Sequence, residues 1–524
     1  MTRWAIVADL NRCIGCQTCT AACKHVNATA PGVQWRKVLD FEVGEYPEVA
    51  RAFVPVGCMH CDEPPCLDVC PSTATGKRED GIVTIDYDLC IGCAYCSLAC
   101  PYQARSRVDI PNMAYGKKSM RHEIISEHWD RRGVAQKCTF CIDRVDPGLA
   151  AGLTPGIDEE ATPACVNSCI TGALHFGDLD DSQSNVSKLL AENKSFQMHE
   201  ELGTGPGILY LWDRADSEGD KVVTAPPMEE NPIGMAGEAP RHQSNWDWRA
   251  TANFIGGGTG TGLFLATALG GFFAPPLWPA ALLALTLVAT GLFFVWMEIG
   301  RFERFINVFF HPQKSWMSRE AIAAIAFFGL AGLAIYSQWQ IVWLAAAASG
   351  VGFLFCQGKI LYAAKGIPAW RESSVVPLIV STGLSEGLGV FSIFAFFGGW
   401  SILQLQMIST ALMVLVGIRL ALWLHYRKIL GLKGAPTATF DVFDSGLVNL
   451  LIKPQLLVIL FAGLSLLAPW VLIIAGFMAT LTGWAFKYTL INRAAFNQGY
   501  EIARMPARGA GPSSVGVKPG WKTS

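Results

Sequence analysis

The cysteines of this chain carry its most specific chemical signal. Of the 17 cysteines, all but Cys356 lie between residues 13 and 169, where they form four groups of four. The groups are Cys13, Cys16, Cys19 and Cys23; Cys58, Cys61, Cys66 and Cys70; Cys90, Cys93, Cys96 and Cys100; and Cys138, Cys141, Cys165 and Cys169. Thiols at this density indicate either metal binding or a disulfide framework.

The spacing within the groups favours iron–sulfur clusters. The first and third groups have the pattern C-x2-C-x2-C-x3-C, and the second and third groups end in Cys-Pro, at residues 70–71 and 100–101. In bacterial ferredoxins the first three cysteines of such a run bind one cluster and the fourth binds a neighbouring cluster. Sixteen ligands, taken four at a time, predict four [4Fe–4S] clusters.

Two other uses of the cysteines fit the pattern less well. Disulfide frameworks are typical of short secreted chains. Structural zinc sites use pairs of C-x2-C, but they do not need two complete ferredoxin runs. A [3Fe–4S] cluster would lack one ligand, and no ligand is missing from the four groups.

Composition divides the chain into a cysteine-rich front part and an apolar back part. The chain has 524 residues, of which 51% are hydrophobic, and a formal net charge of −2. This length indicates two or more domains, and the charge gives no indication of a nucleic-acid partner. The first residues, MTRWAIVADLNRC, show neither the apolar run of a secretory signal nor a twin-arginine pair, so nothing here predicts export on a signal of this chain's own.

We therefore predict an α+β domain of the double bacterial-ferredoxin type, followed by an all-α transmembrane bundle. The ferredoxin-like domain spans 1–212 and a Pro/Gly-rich linker spans 213–248. The membrane bundle spans 249–491, and a basic C-terminal tail spans 492–524.

The back part contains eight apolar segments of about 20 residues, the length that crosses a hydrocarbon core of about 30 Å. They lie near 250–273, 277–300, 318–337, 339–361, 374–398, 401–426, 450–468 and 470–491. Lys453 and Pro454 interrupt the start of the seventh segment, so seven spans is the alternative count.

Basic residues predict the orientation of the bundle. With eight spans, one side carries Arg301, Arg304, Lys314, Arg319, Lys365, Arg371, Arg427, Lys428, Lys433 and the tail, whereas the turns on the other side carry no Lys or Arg. The positive-inside rule then places the iron–sulfur domain in the cytoplasm, at the inner membrane of a bacterium. The alternative is that these basic loops bind an acidic partner domain.

The membrane part has few residues for redox chemistry of its own. Only His425 lies within a span and C-x-x-C-H is absent, so we expect no haem in this chain. Electrons from the clusters would then pass to a lipid-soluble quinone, whose reduction also consumes protons. Glu298, Arg301 and Arg304 are polar candidates at the edge that faces the clusters.

Two further features of the back part have structural interpretations. The run GGGTGTG at 256–262 follows no strand, so it indicates close helix packing through small residues and not a phosphate loop. Cys356 is interpreted as a core thiol.

These residues together resemble a known family. Residues 1–212 resemble the four-cluster ferredoxin subunit of the dimethyl sulfoxide reductase superfamily, including KREDGIVTIDYDLCIGCAYCSLACPY (77–102) and CIDRV (141–145). Residues 249–491 resemble the family's eight-span membrane anchor, most visibly in EIGRFERFINVFFHPQKSWMSRE (298–320). In this family the two parts are usually separate chains, whereas here they are fused. Many such anchors have a histidine near the position of Glu298.

The resemblance implies how the cysteine groups share clusters, which spacing alone leaves open. The first and fourth groups pair, and so do the second and third. The implied ligand sets are Cys13, Cys16, Cys19 and Cys169; Cys138, Cys141, Cys165 and Cys23; Cys58, Cys61, Cys66 and Cys100; and Cys90, Cys93, Cys96 and Cys70. The last of these clusters would adjoin a quinone pocket near Pro71, Ser72 and Tyr95.

The resemblance also implies a separate, large catalytic subunit with a molybdenum or tungsten bis-pterin cofactor. This chain would then be the electron-transfer and anchor subunit of an oxidoreductase, with no substrate site apart from the quinone site. A cytoplasmic domain favours sulfite or an acyl-CoA such as phenylacetyl-CoA as the partner's substrate. The alternatives are a quinol-oxidising reductase of sulfoxide, polysulfide or tetrathionate, and a redox-driven ion pump. A higher oligomer of the complex is also expected.

The cluster count gives a direct chemical expectation. Iron analysis of the intact assembly should find about sixteen iron atoms per copy of this chain beyond those of its partner, because four cuboidal clusters hold four irons each. A value near eight would contradict the assignment of all four groups to [4Fe–4S] clusters.

Overall fold

A computed structural model describes residues 2–45, 48–109, 120–121, 128–214, 239–445 and 449–500. Most of the predicted linker, at 215–238, and the tail from 501 onwards lie outside the described residues.

The front part is built around one small sheet. Ten strands are described: β1 (Trp4–Asp9), β2 (Arg36–Glu45), β3 (Glu48–Gly57), β4 (Thr75–Lys77), β5 (Val83–Ile85), β6 (Ser106–Arg107), β7 (Ala135–Gln136), β8 (Leu174–Asp178), β9 (Asn193–Phe196) and β10 (Ile208–Arg214). The main sheet has the order β8-β1-β10-β9, with β1 parallel to β10 and the other pairs antiparallel. The two-stranded sheets β2-β3, β4-β5 and β6-β7 contain the other strands.

Short helices follow the cysteine loops. They are α1 (Thr18–Val26), α2 (Pro65–Asp68), α3 (Tyr95–Ala99), α4 (Ile142–Ala150), α5 (Ala164–Asn167) and α6 (Asn185–Glu192), with 3-10 turns at Trp129–Arg131 and Glu200–Leu202. The cysteines belong to the buried cores, where they pack beside apolar side chains such as Ile6, Phe41 and Phe176. A ferredoxin-like domain followed by a helical bundle is thus confirmed.

The back part consists of long helices. They are α7 (Trp248–Gly270), α8 (Trp278–Glu298), α9 (Trp316–Ser337), α10 (Gln340–Ala363), α11 (Val375–Phe397), α12 (Ile402–Leu432), α14 (Asn449–Leu464) and α15 (Val471–Tyr488), with the short α13 (Thr437–Asp444), a 3-10 segment Phe302–Phe309 and a final π turn Thr489–Arg493. Within the described residues, six of them are long and apolar enough to cross a membrane: α8, α9, α10, α11, α12 and α15.

The other two predicted spans coincide with α7 and α14. Helix α7 has 23 residues, but its glycines, threonines and Asn253 reduce its apolar character. Helix α14 has 16 residues, about 24 Å at a rise of 1.5 Å per residue, and contains Pro454. Six membrane-spanning helices are therefore supported directly, and the count of eight stays a prediction.

The iron–sulfur part docks on the bundle through three glycines. A Cβ atom on Gly92 would clash with the carbonyl of Gly133, and one on Gly300 would clash with the same group. The contact is tightened by Arg107, which donates hydrogen bonds to the carbonyls of Gly92 at 2.5 Å and Glu298 at 3.2 Å. The backbone of the third cysteine group thus lies directly against the end of α8.

The connection between α8 and α9 binds the second and third cysteine groups. Arg301 donates to the carbonyls of residues 129 and 132, and Arg304 donates to the carbonyl of Tyr87 at 2.5 Å. His311 lies 2.8 Å from the carbonyl of Cys70, and Lys314 pairs with an aspartate of α2 at 2.9 Å. Several of the basic residues that predicted the orientation therefore have a docking role as well.

The segments before α7 and after α15 contact each other and the iron–sulfur part. The backbone N–H of Gln243 donates to the carbonyl of Ala495 at 2.9 Å, and Arg241 and Asn497 hydrogen-bond reciprocally. The Tyr500 hydroxyl, buried in the iron–sulfur part, donates to the carbonyl of Tyr102. The segment after α15 thus returns to the front domain and fastens it to the membrane part.

The glycine contact yields a test of the docking. Replacing Gly300 by alanine should lower stability by about 1–3 kcal/mol, because the added methyl group has no space against the backbone of Gly133. Thermal loss of cluster absorbance in the purified protein measures the effect. Gly329→Ala on α9 is the matched control, since nothing lies within 4 Å of its Cβ position. An equal effect of both substitutions would contradict the docking role.

Candidate functional site

The thiols of the four groups are buried and unbridged. All 17 cysteines are free, and among the sixteen in the groups only Cys16 is exposed, with Cys93 and Cys100 half-buried. The structure thus contains no disulfide framework among the described cysteines.

The ferredoxin runs bend in the same way at equivalent positions. Gly15 and Gly92 both have φ +70°, and Gln17 and Ala94, the residues before α1 and α3, have φ of 61° and 58°. Alternation of left-handed and right-handed residues turns successive backbone N–H groups into one concavity, which suits an anion such as a cluster. The local sequence thus gives the loops of the first and third cysteine groups a concave backbone that can bind an anion.

The cysteines meet across the chain in sets. The thiol of Cys23 lies within electrostatic range of those of Cys138, Cys141 and Cys165. The thiol of Cys61 lies in range of those of Cys58, Cys66 and Cys100. The thiol of Cys93 lies in range of those of Cys70, Cys90 and Cys96. The thiol of Cys19 has those of Cys13 and Cys169 nearby.

These sets follow one another in a row. We number them by a member of each: the set of Cys19 is the first, that of Cys23 the second, that of Cys61 the third and that of Cys93 the fourth. The charge of Cys165, in the second set, reaches Cys19 in the first. The charge of Cys58, in the third set, reaches Cys138 in the second. The charge of Cys96, in the fourth set, reaches Cys66 in the third. Cys16, the exposed thiol, belongs to the first run, so the row leads from the protein surface to the fourth set.

Ligand spacing does not suit mononuclear metal. No group of three or more Cys, His, Asp or Glu side chains in the described part of the chain converges closely enough to bind a single ion. Zinc would need thiolates about 2.3 Å from one centre. A cuboidal cluster bonded at four corners holds its thiolates farther apart than a single ion does.

A buried arginine between two sets supports an anionic occupant. Arg36, at the start of β2, is 1% exposed, and its Nε, Nη1 and Nη2 atoms have no hydrogen-bond partner among the described residues. It lies close to Cys19, Cys138 and Cys165, whose charges raise its pKa against the opposing effect of burial. A buried guanidinium without an anion costs several kcal/mol. A cluster bound by four thiolates is an anion, and it would supply the negatively charged partner that the guanidinium of Arg36 otherwise lacks.

Two more buried cations lie along the row. Arg105 donates hydrogen bonds to Cys66 Sγ at 3.0 Å and Thr75 Oγ1 at 2.9 Å. Lys137 is 1% exposed and donates to the carbonyls of Val83 and Cys138, and burial lowers its pKa while the thiols of Cys58 and Cys138 raise it.

Without an occupant, the thiols would be protonated. Burial raises the pKa of Cys19 and Cys66 to about 11 and that of Cys138 to about 12. Iron binds the thiolate, so cluster insertion would release protons from these groups. Hydrogen bonds to sulfur are already in place, for example from the N–H of Ala173 to Cys169 Sγ at 3.2 Å and from the N–H of Thr75 to Cys70 Sγ at 3.5 Å.

The row ends at a cavity on the membrane side. This cavity, here called the interface cavity, has a volume of about 500 Å³. Its polar lining consists of Cys93, Trp246, Asn253, Glu298 and Glu320. Its apolar lining includes residues of α8, α9 and the 3-10 segment Phe302–Phe309, among them the exposed Phe305 and Ile325. A planar polar ring with an apolar tail fits this distribution.

Of the six residues predicted for a quinone pocket, Glu298 lines the interface cavity. It is 6% exposed and accepts a hydrogen bond from the N–H of Asp247 at 2.9 Å. Tyr95 lies behind the wall, with its ring stacked on Trp246 at 5.5 Å and its hydroxyl bonded to the carbonyl of Ile360 at 2.6 Å.

The remaining four predicted residues do not line the interface cavity. Ser72 is buried near Cys70, and the carbonyl of Pro71 accepts from Ser318 at 3.3 Å. Arg301 and Arg304 hold the iron–sulfur domain through its backbone carbonyls.

Sequence reasoning missed the residues that long-range packing brings to the cavity. Trp246, from the predicted linker, donates its indole N–H to the carbonyl of Cys93 at 3.0 Å. Asn253 of α7 donates to Glu320 of α9 at 3.2 Å. A signal was available for Glu320, an acidic residue near the start of an apolar span.

Comparisons with known proteins agree with the cysteine chemistry. The family described as "4Fe-4S dicluster domain" matches residues 49–120. The chain is 40% identical to a subunit of the selenate reductase of Mesobacillus selenatarsenatis, over 40% of this chain and 72% of that protein. It is 40% identical to the iron-sulfur subunit of a putative dimethyl sulfoxide reductase of Halobacterium salinarum, over 40% of this chain and 79% of that protein.

A third relative is named for quinone chemistry. The menaquinone reductase iron-sulfur cluster-binding subunit of Nitratidesulfovibrio vulgaris is 36% identical, over 40% of this chain and 88% of that protein. The three relatives are named for different reactions, so similarity does not single out one substrate.

Arg36 gives a test of the charge arrangement. Replacing it by methionine should lower the reduction potentials of the nearest clusters by roughly 60 mV, about a tenfold change for a one-electron couple, because a buried cation favours the more negative, reduced form. Redox titration followed by EPR spectroscopy measures the potentials. Arg51→Met on the same hairpin is the control, since Arg51 pairs with Asp40 at the surface. Equal potentials in R36M and the wild-type protein would contradict the assignment.

Proposed function

Because the chain belongs to the iron–sulfur subunits of the dimethyl sulfoxide reductase superfamily, we propose that it conducts electrons between a molybdenum or tungsten bis-pterin catalytic subunit and a membrane quinone. Its redox role within an oxidoreductase complex follows from the family.

The proposed cofactors are four [4Fe–4S] clusters. Their ligand sets are Cys13, Cys16, Cys19 and Cys169; Cys23, Cys138, Cys141 and Cys165; Cys58, Cys61, Cys66 and Cys100; and Cys70, Cys90, Cys93 and Cys96. The proximity of thiols within these sets supports the assignment. When bound, the clusters supply one-electron carriers at successive positions along the row. Arg36, Arg105 and Lys137 would stabilise their negative charge.

One observation carries the quinone assignment: Cys93 belongs to the last set of the row and also lines the interface cavity. Electrons leaving that set therefore meet a membrane-side cavity first. Asn253, Glu298 and Glu320 provide hydrogen-bonding groups for a quinone ring, and the apolar wall between α8 and α9 accommodates its isoprenoid tail.

The opposite end of the row suits the catalytic partner. Cys16 is exposed, and Ile14 and Ile170 beside this set are 53% and 60% exposed. Apolar side chains around an exposed ligand favour a protein interface there. We propose that the large subunit covers this face, so that electrons pass between its cofactor and the first cluster.

We further propose that all eight long helices cross the membrane, α7 in the interior and α14 as a short span. Helix α7 is largely buried by its neighbours, which explains how a glycine- and threonine-rich helix can lie in a bilayer. We retain the cytoplasmic side for the iron–sulfur domain, on the basic residues Lys365, Arg427, Lys428 and Lys433; of these, Arg427 pairs with Asp444 and Lys433 with Glu372 inside the membrane part. Sulfite or an acyl-CoA then remain the proposed substrate classes of the partner.

The interface cavity provides the test of quinone coupling. In Asn253→Leu we expect oxidation of the reduced clusters by decylubiquinone or menadione to slow at least about tenfold, because the leucine removes a ring-facing polar group. Stopped-flow absorbance of the clusters measures the rate.

Two controls accompany this experiment. Oxidation by ferricyanide should be unchanged in Asn253→Leu, which shows that the clusters are assembled. Thr286→Val, on the exposed face of α8, should keep the wild-type rate with quinones, since Thr286 bonds only to its own helix in the described structure. Quinone oxidation at the wild-type rate in Asn253→Leu would count against the proposed site.

A further inference from the structure

A second polar cluster lies inside the helix bundle, away from the interface cavity's opening. Its members are Glu386 of α11, Arg419 of α12 and Lys487 of α15. Glu386 and Lys487 are 0% exposed, and Arg419 is 2% exposed. The structure brings these three ionisable residues together in the interior, about eleven residues, or roughly 16 Å, along α11 from its start.

The ion pair is well formed but not fully satisfied. Lys487 Nζ lies 2.7 Å from Glu386 Oε2, and Thr259 donates to the same oxygen at 2.9 Å. Glu386 Oε1 is buried and accepts no hydrogen bond from the described residues. A carboxylate arranged only to hold two helices together would use both oxygens, since an unsatisfied buried acceptor is costly. This oxygen can instead accept a bond from water or carry a proton.

Other charged and polar groups face the pair from the neighbouring helices. Trp484 donates to Thr259 at 2.9 Å, and Thr480 donates to the carbonyl of Glu386 at 3.2 Å. Arg419 adds a second positive charge near Glu386 and is held by Ser385, Gln455 and Thr482. The described cluster thus contains two basic groups and one acid, in a setting where ionisable residues usually serve a function.

The cluster adjoins the interface cavity through α7. Lys487 Nζ donates to the carbonyl of Phe254 at 2.9 Å, and Phe254 lines the cavity. On an adjacent side of the same turn, Gln357 donates to the carbonyl of Asn253 at 3.0 Å and also hydrogen-bonds to Glu320. Asn253 and Glu320 line the cavity as well.

The glycine run of α7 makes these approaches geometrically feasible. A Cβ atom on Gly257 would clash with the Gln357 amide, and one on Gly258 would clash with Lys487 Nζ. The glycines therefore admit two polar side chains to the helix backbone, one from the cavity side and one from the interior cluster. Gln357 Oε1 and Asn253 Oδ1 are buried acceptors without a donor in the described part of the chain, and such polar sites suit bridging water.

We propose that the Glu386–Lys487 pair is a proton-exchange site for the interface cavity, an inference that rests on the proposed quinone function. Reduction of one quinone to quinol takes two electrons from the clusters and two protons. A proton can move between Lys487 and Glu386 along their hydrogen bond without changing the net charge of the pair. The pair passes protons toward the cavity past the glycines of α7, where the Glu320 carboxylate accepts them, and the amides of Asn253 and Gln357 bind the bridging water.

The experiment uses the full chain in its complex, reduced with dithionite and mixed with decylubiquinone. In Glu386→Gln the side chain keeps its shape and can still bond to Thr259, but it cannot carry a proton. We expect cluster oxidation by the quinone to slow at least tenfold, with the quinone dissociation constant within twofold of the wild-type value. Glu386→Asp should restore most of the rate, because it retains an exchangeable carboxyl group.

Thr267→Val is the matched control. Thr267 is buried on the same helix α7, about 12 Å beyond Thr259, and bonds only to the carbonyl of Leu263 in the described structure. Its substitution should leave the rate unchanged. A wild-type rate in Glu386→Gln would overturn the proposal and leave the quinone function standing. Failure of quinones to oxidise wild-type clusters would overturn both.

A measurement on the wild-type protein keeps the proposal testable if Glu386→Gln does not assemble. Infrared difference spectra on quinone reduction should show a change in the stretching band of a buried carboxylic acid, sensitive to exchange into D2O. Glu386→Asp should shift this band, which assigns it to position 386. Absence of any such carboxyl change, or a band unaffected by Glu386→Asp, would overturn the proposal.

Discussion

The front domain depends on the mutual neutralisation of buried charge. Thiols and basic side chains are packed together beside the apolar core of the domain, and the guanidinium of Arg36 finds no acceptor among the described residues. Neither kind of group is stable there alone, since burial disfavours thiolates and cations alike. Anionic clusters bound through thiolates answer both requirements. Cluster insertion and folding of this part would then be coupled, as is usual where metal binding supplies folding energy.

The junction with the membrane part follows from the same arrangement. The last cysteine set must approach the bilayer closely, and the contacts at Gly92, Gly133 and Gly300 remove side chains from the place where the two backbones meet. Carbonyl groups near Cys70 and Cys90 would otherwise face lipid or the bundle without donors. Arg304, His311 and Ser315 supply those donors. The basic residues of this connection thus serve the docking of the domain as well as the topology of the bundle.

What the sequence predicted well was local. The ferredoxin spacing identifies ligands because one short loop positions three of them, whereas the sharing of clusters between distant groups came only from the family resemblance. Arg36, Trp246 and Asn253 went unnoticed because their roles depend on packing between segments far apart in the chain. The sequence predicted the six apolar helices that are long enough to cross a membrane. Helices α7 and α14 are less clear from hydropathy, because α7 is rich in glycine and threonine and α14 is short. Burial inside the bundle, which sequence does not reveal, permits the glycines and polar residues of α7.

The small residues of helix α7 have two effects: they allow close helix packing, and they leave the helix backbone accessible to polar side chains. Its glycines let neighbouring helices approach, as the sequence suggested: Gly262, for example, lies against the backbone of Gly383. The same absence of side chains leaves polar groups of α7's backbone accessible to Lys487 and Gln357. The two side chains reach those carbonyls because the helix surface is bare there. Close packing and polar access are therefore two results of one sequence feature, and they coincide where the interface cavity meets the interior of the bundle.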